Sequence, residues 1–183
     1  MKPMTDKKRL TTALTDLGSA FENCSGEASY YLDVETGEIL LVVEETRRML
    51  YALYEMYGGE NDEPIDLEEA LERRDLIPQA KNNLRTAHRI EAGFGARYLK
   101  IPESDSIEGY ADMKAFIESI QEVQLRESLW QVIQGRGAAE RFRDALLAHP
   151  AEQARWDEFK RRQVHQRVLA WLESERLELA GTP

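Results

Sequence analysis

Cysteine is scarce in this sequence of 183 residues, where it occurs once, at Cys24. A single thiol excludes a disulfide within the chain. Cys24 ends a helical pattern, and a thiol without a paired base is typical of a small core residue. The three histidines, His88, His149 and His165, are far apart and lack zinc-ligand partners at short spacing. The sequence therefore predicts no zinc-type metal site, and nothing in it indicates a cofactor.

Long hydrophobic runs are also missing. No apolar segment approaches the roughly 20 residues that a membrane-spanning helix needs. The first residues are basic, but no long apolar stretch follows them, so we expect no signal peptide. Neither a Gly-x-Ser-x-Gly elbow nor a dinucleotide-binding glycine fingerprint occurs. We therefore expect a soluble cytoplasmic protein that does not contact membranes and that carries no familiar catalytic signature.

Positive charge is in deficit. The chain has 24 lysines and arginines against 34 aspartates and glutamates, a formal net charge of -10. This balance argues against non-specific binding of duplex DNA, because lysine and arginine supply the affinity for phosphate backbones. Residues 1–120 hold 14 basic and 24 acidic residues, whereas residues 121–183 hold 10 of each. The last third is therefore the part of the chain that could carry a basic face.

The clearest local signal is a β-hairpin between Tyr30 and Val43. A four-residue loop, Val34 to Gly37, would let the Asp33 carboxylate accept hydrogen bonds from the turn amides while Gly37 adopts a left-handed conformation. An even loop length also places the alternating apolar residues of the two strands on one side of the ribbon. The face expected to meet the core carries Tyr30, Leu32, Ile39, Leu41 and Val43. The opposite face, expected to be partly covered, carries Tyr31, Leu40 and Val42.

A third strand is predicted from Arg97 to Ile101, where Pro102 ends it. It has only the hairpin to pair with, so a three-stranded antiparallel sheet is the economical arrangement. Helical periodicity starts with an amphipathic helix from about Thr5 to Asn23. From Ser104 onward the chain is almost entirely helical, except for a short strand predicted at Leu177–Leu179.

These elements predict an α+β fold, in which a small three-stranded antiparallel sheet with helices is followed by a mostly helical C-terminal lobe. The length suits a single domain over residues 1–183. Within it we expect a sheet-bearing lobe at residues 1–102 and a helical lobe at residues 103–183.

Three groups of segments together resemble a family of small bacterial proteins known only as uncharacterised. The segments are Leu32–Glu38, then Arg97–Pro102 with Glu108–Tyr110, then Gly135–Phe142 with Trp156, Phe159 and Trp171–Leu172. The resemblance spans most of the chain from about residue 30. It implies a bacterial source, and it carries over neither an activity nor a catalytic residue. A bulky aromatic residue would be expected where Ala139 stands, so this resemblance implies different packing at that helix start.

The segment around Gly135 is the best candidate for ligand binding. Glycines before a helix let backbone amides converge on an anion, and the helix dipole adds partial positive charge. The predicted anion-binding residues are Arg136, Gly137, Ala138, Arg141 and Arg143, which could hold a phosphate, a nucleotide or a nucleic-acid backbone. The alternative is a tight turn between helices, with Gly135 as a C-cap and Gly137 easing the reversal.

A group of carboxylates follows the third strand: Glu103, Asp105, Glu108 and Asp112. Paired carboxylates can bind Mg²⁺ or transfer protons, which would suit a metal-assisted hydrolase. The alternative is a helix N-terminus whose acidic residues complement the helix dipole. No calcium-binding loop spacing is present, so no metal ligand is assigned.

Aromatic residues at helical spacing could form a partner surface or stack on bases, although such residues are more often part of a core. They are Tyr51, Tyr54, Tyr57, Tyr110, Trp130 and Trp156. Trp130 is expected to be partly exposed, since it lies beside Leu129 on the apolar stripe. The sequence identifies no substrate and no catalytic residue, and the hypothesis we favour is a non-enzymatic interaction or accessory protein with a protein partner.

Overall fold

A computed structural model describes residues 7–58, 65–104 and 106–180, which form eight helices and five strands. The first part of the chain contains β1 (Lys8–Leu10), α1 (Leu14–Asn23), β2 (Ala28–Asp33), β3 (Ile39–Val43), α2 (Glu44–Tyr57), α3 (Leu67–Glu72), α4 (Pro78–Ala92) and β4 (Tyr98–Lys100). The second part contains α5 (Ser106–Glu118), α6 (Val123–Val132), α7 (Ala138–Leu146), α8 (Pro150–Ser174) and β5 (Leu177–Leu179). The predicted α+β class is confirmed.

Spatial contacts between residues divide the chain into two compact units. The first unit takes the residues up to Glu103 and those from Arg176 onward, and the second is Ser104–Glu175. Each unit has its own cluster of buried apolar side chains. In the part of the chain that the structure describes, no helix has the length and apolar character that crossing a membrane requires.

The predicted antiparallel sheet is present in the first unit, with strand order β3-β2-β4. The register of the hairpin pairs Leu32 with Ile39 and Tyr30 with Leu41. Beyond the paired strands, the Asp33 amide donates to the Glu38 carbonyl at 2.9 Å. This bond closes the four-residue loop that the sequence predicted.

The hairpin turn is built by its own side chains. The Asp33 carboxylate accepts from the amides of Glu35 at 2.8 Å and Thr36 at 3.3 Å. Gly37 has a φ of 78°, the left-handed conformation expected of it. On the β4 side, Arg97 donates to the same carboxylate through Nε at 3.0 Å and Nη2 at 2.7 Å. One buried carboxylate therefore joins the turn to the third strand.

The assignment of the core face of the hairpin is wrong. The face that carries Tyr31, Leu40 and Val42 meets the main core, because α2 and α4 both pack against β3 there. On the opposite face, α1 packs against β2 and β3 but covers only part of the surface. Leu32 is fully buried on that face, whereas Leu41 is 49% exposed.

The first predicted helix is too long. Its expected start at Thr5 lies outside the described residues, and Lys8–Leu10 is a strand rather than helix. This strand pairs in parallel with β5, so that Leu10 lies opposite Leu179. Leu10 is buried although it lies outside α1, because its strand pairs with a strand about 170 positions away in the sequence. The predicted strand at Leu177–Leu179 is confirmed.

Helix ends in the first unit follow local chemistry. Asp66 accepts from the Glu69 amide at 3.1 Å and caps α3. Pro78 occupies the first turn of α4, where its missing N–H costs no hydrogen bond. The Cys24 thiol is buried and lies 3.4 Å from the Ile101 carbonyl oxygen, as expected of a core residue.

Candidate functional site

The segment between α6 and α7 folds as a tight reversal. Gly135 and Gly137 both adopt left-handed conformations, with φ values of 77° and 74°. Arg141, one turn into α7, points back at the end of α6. Its guanidinium donates to the carbonyls of Val132 at 2.9 Å, Gln134 at 2.6 Å and Arg136 at 2.5 Å. These carbonyls have no helical partner, so Arg141 acts as a C-terminal cap for α6.

The other predicted anion-binding residues have different surroundings. The side chain of Arg136 is exposed and makes no hydrogen bond or ion pair with the described residues. Arg143 lies on α7 and lines a groove. The backbone amides of Gly137 and Ala138 open α7, whose first turn also carries the acidic Glu140. Arg141 thus donates its hydrogen bonds to backbone carbonyls of the turn itself. The binding of an anion by this segment stays a prediction.

A groove beside Arg143 is a well-defined concave surface among the described residues of the second unit. It measures about 450 Å³ and is lined by residues of α5, α7 and α8. Its apolar lining consists of Tyr110, Met113, Ala139, Phe142, Leu146 and Trp156. The polar lining includes Arg143, Gln153, Asp157 and Lys160. Because Met113, Phe142 and Leu146 are buried while Arg143, Asp157 and Lys160 are exposed, the groove has an apolar floor and a charged rim.

Aromatic rings hold the floor of this groove in place. The ring centroids of Phe142 and Trp156 are 4.9 Å apart in an edge-to-face arrangement, and those of Phe116 and Trp156 are 5.2 Å apart. Phe159 stacks on Trp156, with ring centroids 5.9 Å apart and the ring planes inclined by 22°. Edge-to-face pairs of this kind restrict the rings, so the floor is preformed. Trp156 is half-buried and is available to a ligand on its open side.

The predicted carboxylate group is paired with cations where the structure describes it. In the first unit, Glu103 lies 3.3 Å from the Lys100 ammonium. In the second unit, Arg167 binds Asp112 at 2.7 Å and Glu108 at 3.2 Å. Asp105 lies outside the described residues. Within those residues, no group of three or more histidine, cysteine or acidic side chains is arranged to hold a metal ion.

A polar cluster in the first unit was not predicted. The Tyr54 hydroxyl lies 2.7 Å from Nδ1 of His88, so residues of α2 and α4 meet through a tyrosine–histidine hydrogen bond. Burial, with the nearby carboxylate of Glu91 and the Tyr51 hydroxyl, raises the pKa of Tyr54 to about 12. Burial and a hydrogen bond with Glu91 also raise the pKa of Tyr51. Tyr54 therefore stays a neutral donor or acceptor for His88 at physiological pH.

Sequence patterns could not identify the groove, since its lining comes from three helices. Tyr110 and Trp156 were noted as candidate surface aromatics, and both line it. Ala139 also lines it, at the position where the family resemblance led us to expect a bulky aromatic residue. Trp130 is half-buried against the same core, as predicted.

Comparison with known protein families gives a match to the second half of the chain. A family model described as "Uncharacterised protein family (UPF0158)" matches residues 87–182. This range contains the whole second unit and therefore the groove. No solved structure matches the chain.

Similar curated proteins come from chlamydiae and are named UPF0158 protein. One from Chlamydia pneumoniae is 26% identical over 158 residues, which are 85% of this chain and 38% of the relative. One from Chlamydia trachomatis is 30% identical over 77 residues, covering 42% of this chain and 23% of the relative. One from Chlamydia muridarum is 28% identical over 83 residues, covering 45% and 25%. The chain therefore spans well under half the length of the curated relatives it matches.

Proposed function

Because the chain belongs to the uncharacterised protein family UPF0158, whose description names no activity, we propose from the geometry of the site that this protein acts by binding another protein and not by catalysis. The observation that carries this proposal is the preformed groove between α5, α7 and α8. Its volume of about 450 Å³ falls in the usual range of ligand sites, about 300–1,000 Å³. An aromatic floor with a charged rim is the composition of a binding hot spot.

The chemistry of the groove indicates its partner. The floor favours apolar side chains, such as those that a helix presents at positions i and i+4. Arg143 on the rim favours a carboxylate beside them. We therefore propose an amphipathic, acidic segment of another protein as the ligand.

Two other functions draw less support from the geometry. A polyanion would meet the carboxylate of Asp157 on the same rim, and Arg141 already donates to three backbone carbonyls. A metal-assisted hydrolase built on Glu108 and Asp112 would need these carboxylates free, whereas both bind Arg167. A protein partner needs neither group to be released.

The test uses two synthetic helical peptides that carry leucine and phenylalanine at i and i+4 and differ in one flanking residue, glutamate or lysine. Ala139→Trp should fill the groove and weaken binding of the glutamate peptide at least about tenfold, roughly 1.4 kcal/mol. Arg143→Glu should reverse the preference between the two peptides. Arg136→Glu is the matched control, because it makes the same charge change at an exposed residue outside the groove lining.

Calorimetry of the intact chain gives the affinities, and near-ultraviolet circular dichroism checks that each variant is folded. Equal binding of both peptides to wild type and to Ala139→Trp would refute this site. Tight binding of single-stranded RNA at physiological salt, lost in Arg143→Glu, would favour the nucleic-acid alternative instead.

A further inference from the structure

Strand β3 is an open edge of the three-stranded sheet. The bonds from the Asp33 amide to Glu38 and from the Glu44 amide to Glu27 fix which residues of β3 face β2. Because inward and outward groups alternate along an antiparallel strand, Leu40 and Val42 bond to β2 and the backbone groups of Ile39 and Leu41 point away from the sheet. In the part of the chain that the structure describes, these outward groups have no hydrogen-bond partner.

This edge lacks the features that usually protect one. Edge strands are commonly blocked by lysine, proline, a bulge or a covering element. The five residues of β3 are Ile-Leu-Leu-Val-Val, with no charge, proline or glycine. Leu41 is 49% exposed and Val43 is 38% exposed on the same face. The strand thus presents both unpaired backbone groups and uncovered apolar side chains.

A polar groove of about 580 Å³ runs beside this edge, between α1 and the start of β3. On the strand side it is lined by Gly37, Glu38 and Ile39. On the helix side it is lined by Asp16, Ser19 and Asn23, among others. Side chains of a strand added to β3 opposite Ile39 would share the face that carries this groove.

The groove carries two carboxylates without cationic partners. Neither Asp16 nor Glu38 forms an ion pair with any described residue. By contrast, Glu35 in the turn binds Arg97 at 2.7 Å, and Glu44, which follows β3, binds Arg47 at 2.9 Å. Among the described residues, Asp16 and Glu38 therefore leave negative charge without a cation beside the groove.

We propose that the β3 edge binds an extended segment of another protein, which adds a fourth strand to the sheet and places a basic side chain in the groove beside Asp16 and Glu38. Backbone bonds to Ile39 and Leu41 would give affinity, as in other cases of strand addition. In an antiparallel arrangement, apolar residues lie opposite Val43 and Leu41, and a lysine or arginine lies opposite Ile39. This surface lies in the first unit and is separate from the groove lined by Arg143.

A second copy of this chain fits the edge less well. Antiparallel pairing of two β3 strands centred on Leu41 would place Glu38 opposite Glu44 of the other copy, at both ends of the pair. Like charges directly opposite each other are destabilising. Charge complementarity therefore favours a basic partner over self-association.

The experiment uses the full, ¹⁵N-labelled chain and the peptide acetyl-TVTVTKT-amide, with a copy that has glutamate in place of lysine. Amide hydrogen exchange of Ile39 and Leu41 should slow at least about tenfold when the lysine peptide is saturating. The Leu40 amide, already bonded to β2, serves as the internal control and should not change. The lysine peptide should bind about three- to tenfold tighter than the glutamate copy, and Asp16→Asn with Glu38→Gln should remove that difference.

Leu41→Lys places a charge on the edge at an exposed position and should abolish the slowing of exchange. Leu169→Lys, on α8 and similarly exposed at 41%, is the matched control and should leave it intact. Three outcomes would overturn the proposal. The first is that neither peptide changes the amide hydrogen exchange of Ile39 and Leu41, and the second is that Leu41→Lys binds the lysine peptide as tightly as wild type. The third is that these amides already exchange slowly in the chain alone, which then has the mass of a dimer that Leu41→Lys abolishes. The last would identify a second copy as the occupant.

Discussion

Asp33 is the residue on which the hairpin and the third strand both depend. It is 2% exposed and accepts hydrogen bonds from two turn amides and from Arg97. Burial raises the pKa of Asp33, but the bonds from Arg97, Glu35 and Thr36 outweigh it and hold this pKa below its ordinary value of 3.8. Folding therefore stabilises the ionised form of the Asp33 carboxylate relative to the protonated form.

We expect Asp33→Asn to lower the free energy of unfolding by about 2 kcal/mol near neutral pH, because the charged bond to Arg97 is lost. Because the pKa of Asp33 is lower in the folded state than in the unfolded state, its ionisation stabilises the fold at pH values above the unfolded-state pKa. This contribution is lost as the pH falls through the folded-state pKa. The difference between wild type and Asp33→Asn should thus shrink as the pH falls below about 4. Urea unfolding over this pH range measures it.

The control is Asp16→Asn, which replaces an exposed carboxylate that has no cationic partner among the described residues. Near neutral pH its unfolding free energy should differ from that of wild type by less than about 1 kcal/mol, because it loses only a favourable charge in the first turn of α1. A cost of Asp33→Asn that stays constant down to the lowest pH would contradict the role assigned to the ionised carboxylate.

Gly37 is constrained both by its conformation and by its neighbours. A Cβ at this position would lie 2.8 Å from Oγ1 of Thr12, which itself donates to the Gly37 carbonyl. Gly95 has nearly the same φ, 77°, but a Cβ there would meet nothing within 4 Å. Gly95→Ala should cost only the backbone strain of about 1–2 kcal/mol, and Gly37→Ala should cost clearly more. Paired urea unfolding curves test this, and equal costs would show that Thr12 moves aside freely.

At the scale of elements, the turn between α6 and α7 depends on Arg141. Arg141→Ala leaves three carbonyls of that turn without their donor and should cost about 1–2 kcal/mol, less than buried charged bonds because the guanidinium is exposed. Arg136→Ala, in the same turn, should change stability by less than about 0.5 kcal/mol. Denaturant unfolding followed by tryptophan fluorescence measures both. Similar effects of the two substitutions would contradict the capping role.

Elements governed by local chemistry could be predicted from the sequence. The four-residue hairpin loop follows from Asp33 and Gly37, the α3 cap from Asp66, and the start of α4 from Pro78. In each case the deciding interaction joins residues within a few positions, so the sequence contains the whole cause.

Elements decided by distant partners could not be predicted. The choice of core face in the hairpin depends on α2 and α4 covering Leu40 and Val42. The strand at Lys8–Leu10 exists because β5 pairs with it. Likewise, the sequence does not show that the Arg141 guanidinium caps the end of α6 while Arg143, two positions on, lines a groove formed with α5 and α8. A hydrophobic or charge pattern shows that a residue needs a partner but does not identify it.

At the scale of the molecule, net charge differs between the two units. The first unit holds 14 basic and 21 acidic residues, whereas the second holds 10 and 13. The charges of the two proposed surfaces follow this difference. The strand edge in the more acidic first unit lies beside unpaired carboxylates, whereas the groove in the second unit has Arg143 on its rim. On the proposals above, the chain would recognise a basic strand and an acidic amphipathic segment with separate units, as an accessory protein that holds two partners would.

This division predicts that the second unit folds without the first. Its core of apolar residues from α5, α6, α7 and α8 is contained within Ser104–Glu175. The excised segment should keep its helical circular dichroism, the near-ultraviolet signal of its tryptophans and the affinity of the groove for the glutamate peptide. Phe142→Ala in the same segment removes the ring that contacts both Phe116 and Trp156, and it should cost about 3–5 kcal/mol and unfold the segment. A helical segment without a near-ultraviolet signal would mean that its packing requires the rest of the chain, and the two surfaces could then not be treated as independent.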